Sequence, residues 1–583
     1  MKKIILALVF ISCISSSISI SQTPFYYKGF PKIVDSLGGT DIPNAIPLIV
    51  DLEKDRQKEI IFVTSRASGS MLQIIKSDGS SLKGFPKLFP NTWILSFSSG
   101  DVNGDGLLDI ALRSKNIIYV IDKFGNSLPG FPVTYYDGST TIYKFLSLYD
   151  LNNDGKLELI VSKTNEVCVF NHDGSIMSGW PRGVVGFSES HPAIGDIDNN
   201  GLPEIIVSTV KVLPQGGADS SALHIFRSNG SNFSNNWPIY YDSSYFAWDA
   251  SPTLYIDRNN PAGTFILINQ NGKRHGQYIE SRNMKYNIFG QVLSQRNVIN
   301  TDNPPGSLVI GDLNGDGFTE SVNASGDQNT DSAVFLYNNN MGLVNGWPST
   351  GGSGNHKSTP IIGKFTTGSN LNVLANNWTA EYTLPDTGGF IYGYNYDGTQ
   401  LPWSPLRPIG VINAISASDL NNDGSVELIA ISTYTSNETY LHIWTFPGVP
   451  YSNSVHPWPQ FAHDRYRTNQ YGFIPPDEPI GIHPISSNIP AKFKLFQNYP
   501  NPFNPSTNIR FDISSKSTVL LNIYDVLGRE AATLLNTELS AGEYSVSWDA
   551  SKFSSGIYFY RINIIESDSR NHYAETKRLT LVK

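Results

Sequence analysis

The stretch GDVNGDGLLDIAL, Gly100 to Leu112, sets Asp101, Asp105 and Asp109 four residues apart around a glycine and runs into an apolar segment. Carboxylates at this density repel. Two unit charges about 4 Å apart in an effective dielectric near 20 interact by about 4 kcal/mol. A cation among them turns that repulsion into attraction. Counted from Asp101, side-chain oxygens stand at positions 1, 3, 5 and 9 (Asp101, Asn103, Asp105 and Asp109). The backbone carbonyl of Leu107 supplies position 7, and Gly106 lets the chain turn. Hard oxygen donors on a flexible loop suit calcium; magnesium keeps its water in a tight octahedron, and zinc takes nitrogen or sulfur.

Four further copies carry the same spacing. They are Asp150, Asn152, Asp154, Lys156 and Glu158; Asp196, Asp198, Asn200, Leu202 and Glu204; Asp312, Asn314, Asp316, Phe318 and Glu320; and Asp419, Asn421, Asp423, Ser425 and Glu427. The position-7 residues offer only their carbonyls. A weaker copy starts at Asp51, with Arg56 in the glycine position, and two eroded copies lie around Asp257 and Lys364. An EF-hand needs Glu at position 12 and flanking helices. Here position 12 is Leu112, Val161, Val207, Asn323 or Ala430, inside a strand-like run. An Asx-Gly turn explains positions 5 and 6 but not the acids at 1 and 9. Each of the five loops has three carboxylates, so five calcium ions would add ten positive charges to a chain of formal charge -9. At about 1 mM calcium, a site of about 0.1 mM affinity contributes roughly 1.4 kcal/mol.

The elements that position these loops read as strands. Leu157 to Val161 and Glu204 to Val207 are short, β-branched and flanked by Asn, Asp and Gly. A second motif alternates with the first: a turn followed by Gly-aromatic-Pro, reaching Phe85, Phe131, Trp180, Trp237, Trp347 and, as variants, Trp403 and Trp458. Loop and anchor together define eight units, spaced 46 to 61 residues apart, the fifth without its anchor. That period belongs to propeller blades. One surplus anchor at Phe30 precedes the first unit; an N-terminal strand completing the last blade accounts for it. With 16% charged residues, 12% aromatics, 50 glycines and 35 prolines, the composition is that of a turn-rich all-β protein.

Through these loops the sequence resembles FG-GAP/VCBS repeats, the blades of integrin-α-type β-propellers. The resemblance implies a propeller over residues 22–473, with structural calcium in blade hairpins and ligand binding on the opposite face. Eight units are counted; integrin-type rings have seven blades, so seven remains open.

Residues 1–21 read as an export signal, with Lys2 and Lys3 before an apolar stretch and Ser19 and Ser21 before the cleavage point. No later run is long enough to span a bilayer. Cys13 lies in that signal, which leaves Cys168 unpaired, so disulfides do not staple the fold and metal ions take that part. Residues 474–490 are proline-rich and expected to be a linker. Residues 491–583 alternate apolar and polar positions between glycine turns, as a small sandwich does. Asn498 to Pro505, Tyr524 to Arg529, Ser555 to Tyr558 and Glu575 to Arg578 resemble the type A sorting domain of type IX secretion, which is Ig-like. That resemblance implies the type IX machinery as a partner. It also implies passage through periplasm and outer membrane of a Gram-negative bacterium, ending secreted or cell-surface attached.

The net charge of -9 and the absence of a basic stripe exclude a nucleic-acid binder. No nucleophile elbow, zinc-binding His-Glu-x-x-His or phosphate loop occurs. His191 stands in a pre-strand position, and Trp458 to Tyr471 resembles a ring-closing segment. The expectation is a calcium-stabilised, exported propeller that binds an extracellular glycan or protein and performs no chemistry. The alternative is a polysaccharide lyase, with Lys273, Arg274 and His275 as candidates and Tyr240 to Asp249 stacking on sugar rings.

Overall fold

The computed structural model describes residues 23–582 apart from 37–45, 136–144, 189, 213–217, 243–244, 247–249, 259, 275–276, 299–306, 326–332, 351–358, 378–388, 435–437, 453–454, 476–482, 487–489, 491, 505, 516, 540–541, 551–552 and 567–571. The signal segment and Cys13 lie outside these. The protein is all-β: among the described residues the single helix is a 3-10 turn at Pro261–Gly263. No helix of the described residues is long and apolar enough to cross a membrane.

Eight antiparallel sheets follow one another up to Pro450. The first is built from Leu48–Val50, Glu59–Arg66, Gly69–Ile75 and Lys87–Pro90, paired in that order. In each unit the acidic loop joins the first strand to the second. Each sheet shares its apolar faces with the next. Leu112 packs with Leu72 between sheets one and two, and Leu159 with Val120 between two and three. Val207 meets Ile160, Ile266 meets Ile206, and Leu267, Val322 and Val373 join sheets five, six and seven. Leu374 packs with Leu428. The last sheet then packs on the first, through Ile429, Ile443, Ile60 and Phe62.

The chain's two ends meet in that last sheet. Phe25–Tyr26 and Lys32–Asp35 both pair with Glu438–Pro450, Tyr26 facing Trp444 and Lys32 facing Leu441. The surplus anchor at Phe30 is thereby explained. Buried Asp35 also ties these strands to sheet one, accepting from Thr64 Oγ1 at 2.7 Å and from Arg66 Nη2 at 2.7 Å.

Residues 455–471 form a closing segment along the first strands of six sheets. Its carbonyls accept from Ile362 N (2.9 Å), Ala417 N (2.8 Å), Ser99 N (3.0 Å), Leu148 N (2.9 Å), Ile194 N (2.9 Å) and Leu254 N (2.9 Å). This segment dictates the glycine that precedes several acidic loops: a Cβ on Gly100 would crowd the Tyr466 ring, and one on Gly363 would overlap His456.

The anchors cement neighbouring units. Trp180 Nε1 donates to Ser228 O at 2.9 Å, Trp237 Nε1 to Ile288 O at 2.9 Å and Trp347 Nε1 to Tyr396 O at 2.8 Å, each in the following unit. Their aromatic-Pro bonds are cis. The glycine before the anchor has φ near +90° (+89° at Gly130, +90° at Gly179) and lies against the next unit's turn, where a Cβ would overlap a carbonyl oxygen.

The C-terminal part is two four-stranded sheets sharing one core, in which Phe511, Val546 and Trp548 of one sheet meet Leu521, Tyr560 and Ile562 of the other. One boundary is corrected. Within the expected linker 474–490, His483–Ser486 is a strand, the edge of a C-terminal sheet, with His483 facing Ser545. A proline is tolerated on an edge strand, where no ladder N–H is missed.

Candidate metal loops and closing-segment cavity

The five acidic loops share one geometry. Position 1 uses both oxygens on the turn: Asp101 accepts from Asp105 N at 3.0 Å and Gly106 N at 2.7 Å. Asp150, Asp196, Asp312 and Asp419 do likewise, with Gly155, Gly201, Gly317 and Gly424 at 3.0, 2.8, 2.9 and 2.9 Å. Position 5 accepts from the amide of position 7. Asp105, Asp154, Asn200, Asp316 and Asp423 receive Leu107, Lys156, Leu202, Phe318 and Ser425 at 2.8 to 2.9 Å. Four position-3 residues are Asn, and their amides lie on the position-5 carboxylate: Asn103, Asn152, Asn314 and Asn421 at 3.0, 3.2, 3.0 and 2.9 Å. The oxygen of each of these amides accepts the position-5 backbone N–H, at 2.8 to 2.9 Å.

Position 9 has a second role that the spacing did not disclose. Its side chain accepts the backbone N–H of position 2: Asp109 from Val102, Glu158 from Leu151, Glu204 from Ile197, Glu320 from Leu313 and Glu427 from Leu420, at 2.8 to 3.1 Å. Glu59 does so for Leu52 at 2.8 Å. The eroded loops keep the bond without the charge, through Asn372 to Phe365 N (2.9 Å) and Thr264 to Asp257 N (3.1 Å). A seven-residue gap before a polar acceptor, constant in all eight units and starting from an apolar residue in all but the fifth, was the available signal.

A neutral acceptor suffices for that bond, so it does not call for a charge. Burial drives the position-9 carboxyls up, to about 7 for Asp109 and Glu320 and about 8 for Glu158, Glu204 and Glu427. Neighbouring loop acids push the same way. Such groups demand a cation if they are to be ionised. The donors at the loops beginning at Asp101, Asp150, Asp312 and Asp419 are oxygens, the kind a hard divalent ion takes. Among the described residues only the Asp196 loop brings three carboxylates together, Asp196, Asp198 and Glu204, with oxygens within 4.8 Å of one another, and there the Arg227 guanidinium reaches two of them, Asp198 and Glu204.

Beside the loops, a cavity of about 350 Å³ opens between sheets eight and one and the closing segment. Lys58, Tyr451, Gln460, Arg465, Tyr471 and Phe473 line it. Lys58 Nζ donates to Ser418 Oγ at 3.0 Å, and the buried Gln460 Oε1 has no partner. His463 and Asp464 pair at 3.2 Å.

The other sequence candidates find structural places. His191 is buried against Phe461, its pKa held well below the usual value by burial. Cys168 is buried and forms no disulfide among the described residues. Lys273 and Arg274 end the strand Phe265–Arg274, while His275 lies outside the described residues. In the Tyr240 to Asp249 stretch Tyr241 is buried and Tyr245 lies under Arg282, at 3.8 Å; 243–244 and 247–249 are outside the described residues.

These features define an all-β repeat protein with acidic hairpin loops and a separate C-terminal module. Residues 150–207 match the FG-GAP-like repeat family. Residues 497–572 match the secretion system C-terminal sorting domain. The protein is therefore secreted and delivered to the cell surface. Among solved structures it is similar to the V. cholerae biofilm matrix protein Bap1, at 13% identity and a TM-score of 0.40, covering 75% of this chain and 94% of that one. No curated protein sequence matches the chain.

Proposed function

We propose that the protein is a calcium-stabilised β-propeller of eight blades that binds a glycan or protein ligand at or outside the cell surface, delivered there by an Ig-like C-terminal domain that engages the type IX machinery. The ring is supported by the unbroken succession of shared cores from sheet one to sheet eight and back, and by the N-terminal strands that complete the last sheet. The observation that carries calcium is the buried position-9 acid at the Asp101, Asp150, Asp312 and Asp419 loops, pushed upward by burial and by the acids at positions 1 and 5 of the same loop. Extracellular calcium at about 1 mM supplies the cation, and four to five sites of about 0.1 mM affinity contribute about 6 to 7 kcal/mol.

For the ligand, the cavity at the closing segment combines aromatic faces (Tyr451, Tyr471, Phe473) with polar groups (Gln460, Arg465). Such a mixture suits a carbohydrate. Adhesion needs no further chemistry.

The test is thermal unfolding of the full-length protein in EGTA and in 1 mM calcium, followed by retention on immobilised acidic polysaccharide. A rise in Tm of about 6 °C with calcium, and retention without release of shortened chains, is expected. An unchanged Tm sinks the calcium assignment; depolymerised polysaccharide sinks the non-enzymatic one.

A further inference from the structure

We infer that the loop at Asp196 carries its own cation: the Arg227 guanidinium stands where the loops at Asp101, Asp150, Asp312 and Asp419 take a metal ion. The inference rests on the calcium assignment of those four loops. Arg227 is the cross-strand partner of Glu204. Its Nη1 lies 3.1 Å from Asp198 Oδ2 and 3.2 Å from Glu204 Oε1, which bridges positions 3 and 9 of the loop. The guanidinium also covers the Phe233 ring, 4.7 Å from its centroid, so it is held on both faces of its approach.

The other loops act as internal controls. Across from position 9 the Asp419 loop has Thr445, and one step beyond the last paired residues at the Asp101, Asp150 and Asp312 loops stand Asp122, Asn171 and Asn338, none of them cationic. All four also have Asn at position 3. An acid at position 3 occurs only where a base stands opposite: Asp198 with Arg227, and Glu53 with Lys76 in the weaker loop at Asp51, where the ammonium pairs with Glu53. One strand thus supplies a base where the loop has gained an acid.

A guanidinium and a divalent ion sharing the same carboxylates repel at close range, so the two occupants exclude each other. Arg227 holds Asp198 Oδ2, and the buried Oδ1 has no partner. Of the five loops read from the sequence, one is therefore self-neutralised and four take calcium. Neutralisation at the Asp196 loop is independent of calcium concentration.

Calcium titration calorimetry on the full-length protein tests this. Wild type binds four ions. Arg227→Met removes the charge, keeps an apolar stem on Phe233, and binds five. Should that variant not fold, the reciprocal exchange, Asn314→Asp with Asn338→Arg, installs the tether at the Asp312 loop and leaves three. Five ions in wild type, four in folded Arg227→Met, or four in the folded reciprocal variant overturns the inference. If wild type binds none, the calcium assignment itself has failed. The tether is then judged by melting in EGTA, where Arg227→Met unfolds at a lower temperature than wild type; equal melting overturns it.

Discussion

Replacing Glu427 with Gln is expected to raise the melting temperature in EGTA and to shrink the gain from calcium. Glu427 is fully buried and its carboxylate accepts from Leu420 N at 2.9 Å and from Thr445 Oγ1 at 3.2 Å. A glutamine can keep both bonds, as Asn372 keeps the equivalent one in the seventh sheet. Burial lifts the carboxyl to about 8. The folded pKa exceeds the unfolded one, so the contribution of Glu427 to the stability of the metal-free protein is complete below about pH 4.5 and is lost as pH rises towards 8. At pH 7 the loss amounts to about 3 kcal/mol. The unfolding entropy of about 450 residues is about 0.9 kcal/mol per degree, so Glu427→Gln should melt about 3 to 4 °C higher in EGTA. In 1 mM calcium one site of about 1.4 kcal/mol is gone, and the calcium-induced rise falls by about 1.5 °C. Glu427→Ala leaves the Leu420 N–H orphaned and should be less stable than the Gln variant by about 1 to 3 kcal/mol. Scanning calorimetry at pH 7 reads all three. A Gln variant that melts below wild type in EGTA refutes the uncompensated charge, and an unchanged calcium increment refutes Glu427 as a ligand.

Asp35→Ala breaks the buried tie to Thr64 and Arg66 and should destabilise by about 3 kcal/mol, near 3 °C in Tm; a change below about 1 °C would show that the N-terminal strands are held by pairing alone. Gly346→Ala forces a side chain into a φ of +89° and against Asp397 O, so a loss of at least about 2 kcal/mol is expected by denaturant titration. His224, His442 and His456 are held down to about 4 by burial. Their stabilisation is complete above about pH 6.5 and is lost as pH falls to 4, up to about 3 kcal/mol each. A His442→Gln variant should show a shallower loss than wild type over that window; parallel curves would contradict the assignment.

The acidic loops and anchors were legible because each repeats a chemical requirement at fixed spacing. Asp101 must turn the loop, and Trp180 must reach Ser228 in the next unit. The surplus Phe30 was legible for the same reason, since a repeat motif without its unit implies a partner elsewhere. The cap made by position 9 was hidden because an acid there has two sufficient causes, and only the eroded loops at Asn372 and Thr264 separate them. His483–Ser486 escaped notice because a four-residue edge strand with a proline carries almost no pattern of its own. The need for Gly100 and Gly363 comes from the closing segment, through Tyr466 and His456, contacts between residues far apart in the chain that no local pattern records. Arg227 was invisible as a loop member because the strand pairing that brings it to Glu204 is not written in the loop.

The pairing of Tyr26 with Trp444 and the run of residues 455–471 across six first strands have a consequence for export. A chain threaded through a membrane from its N-terminus emerges with its first strands unpartnered until Glu438–Pro450 follows. The closing segment arrives later still. Early sheets can form, but the last sheet stays incomplete until its N-terminal strands find Glu438–Pro450. Completion is timed by length: that sheet closes only when its last contributor has crossed.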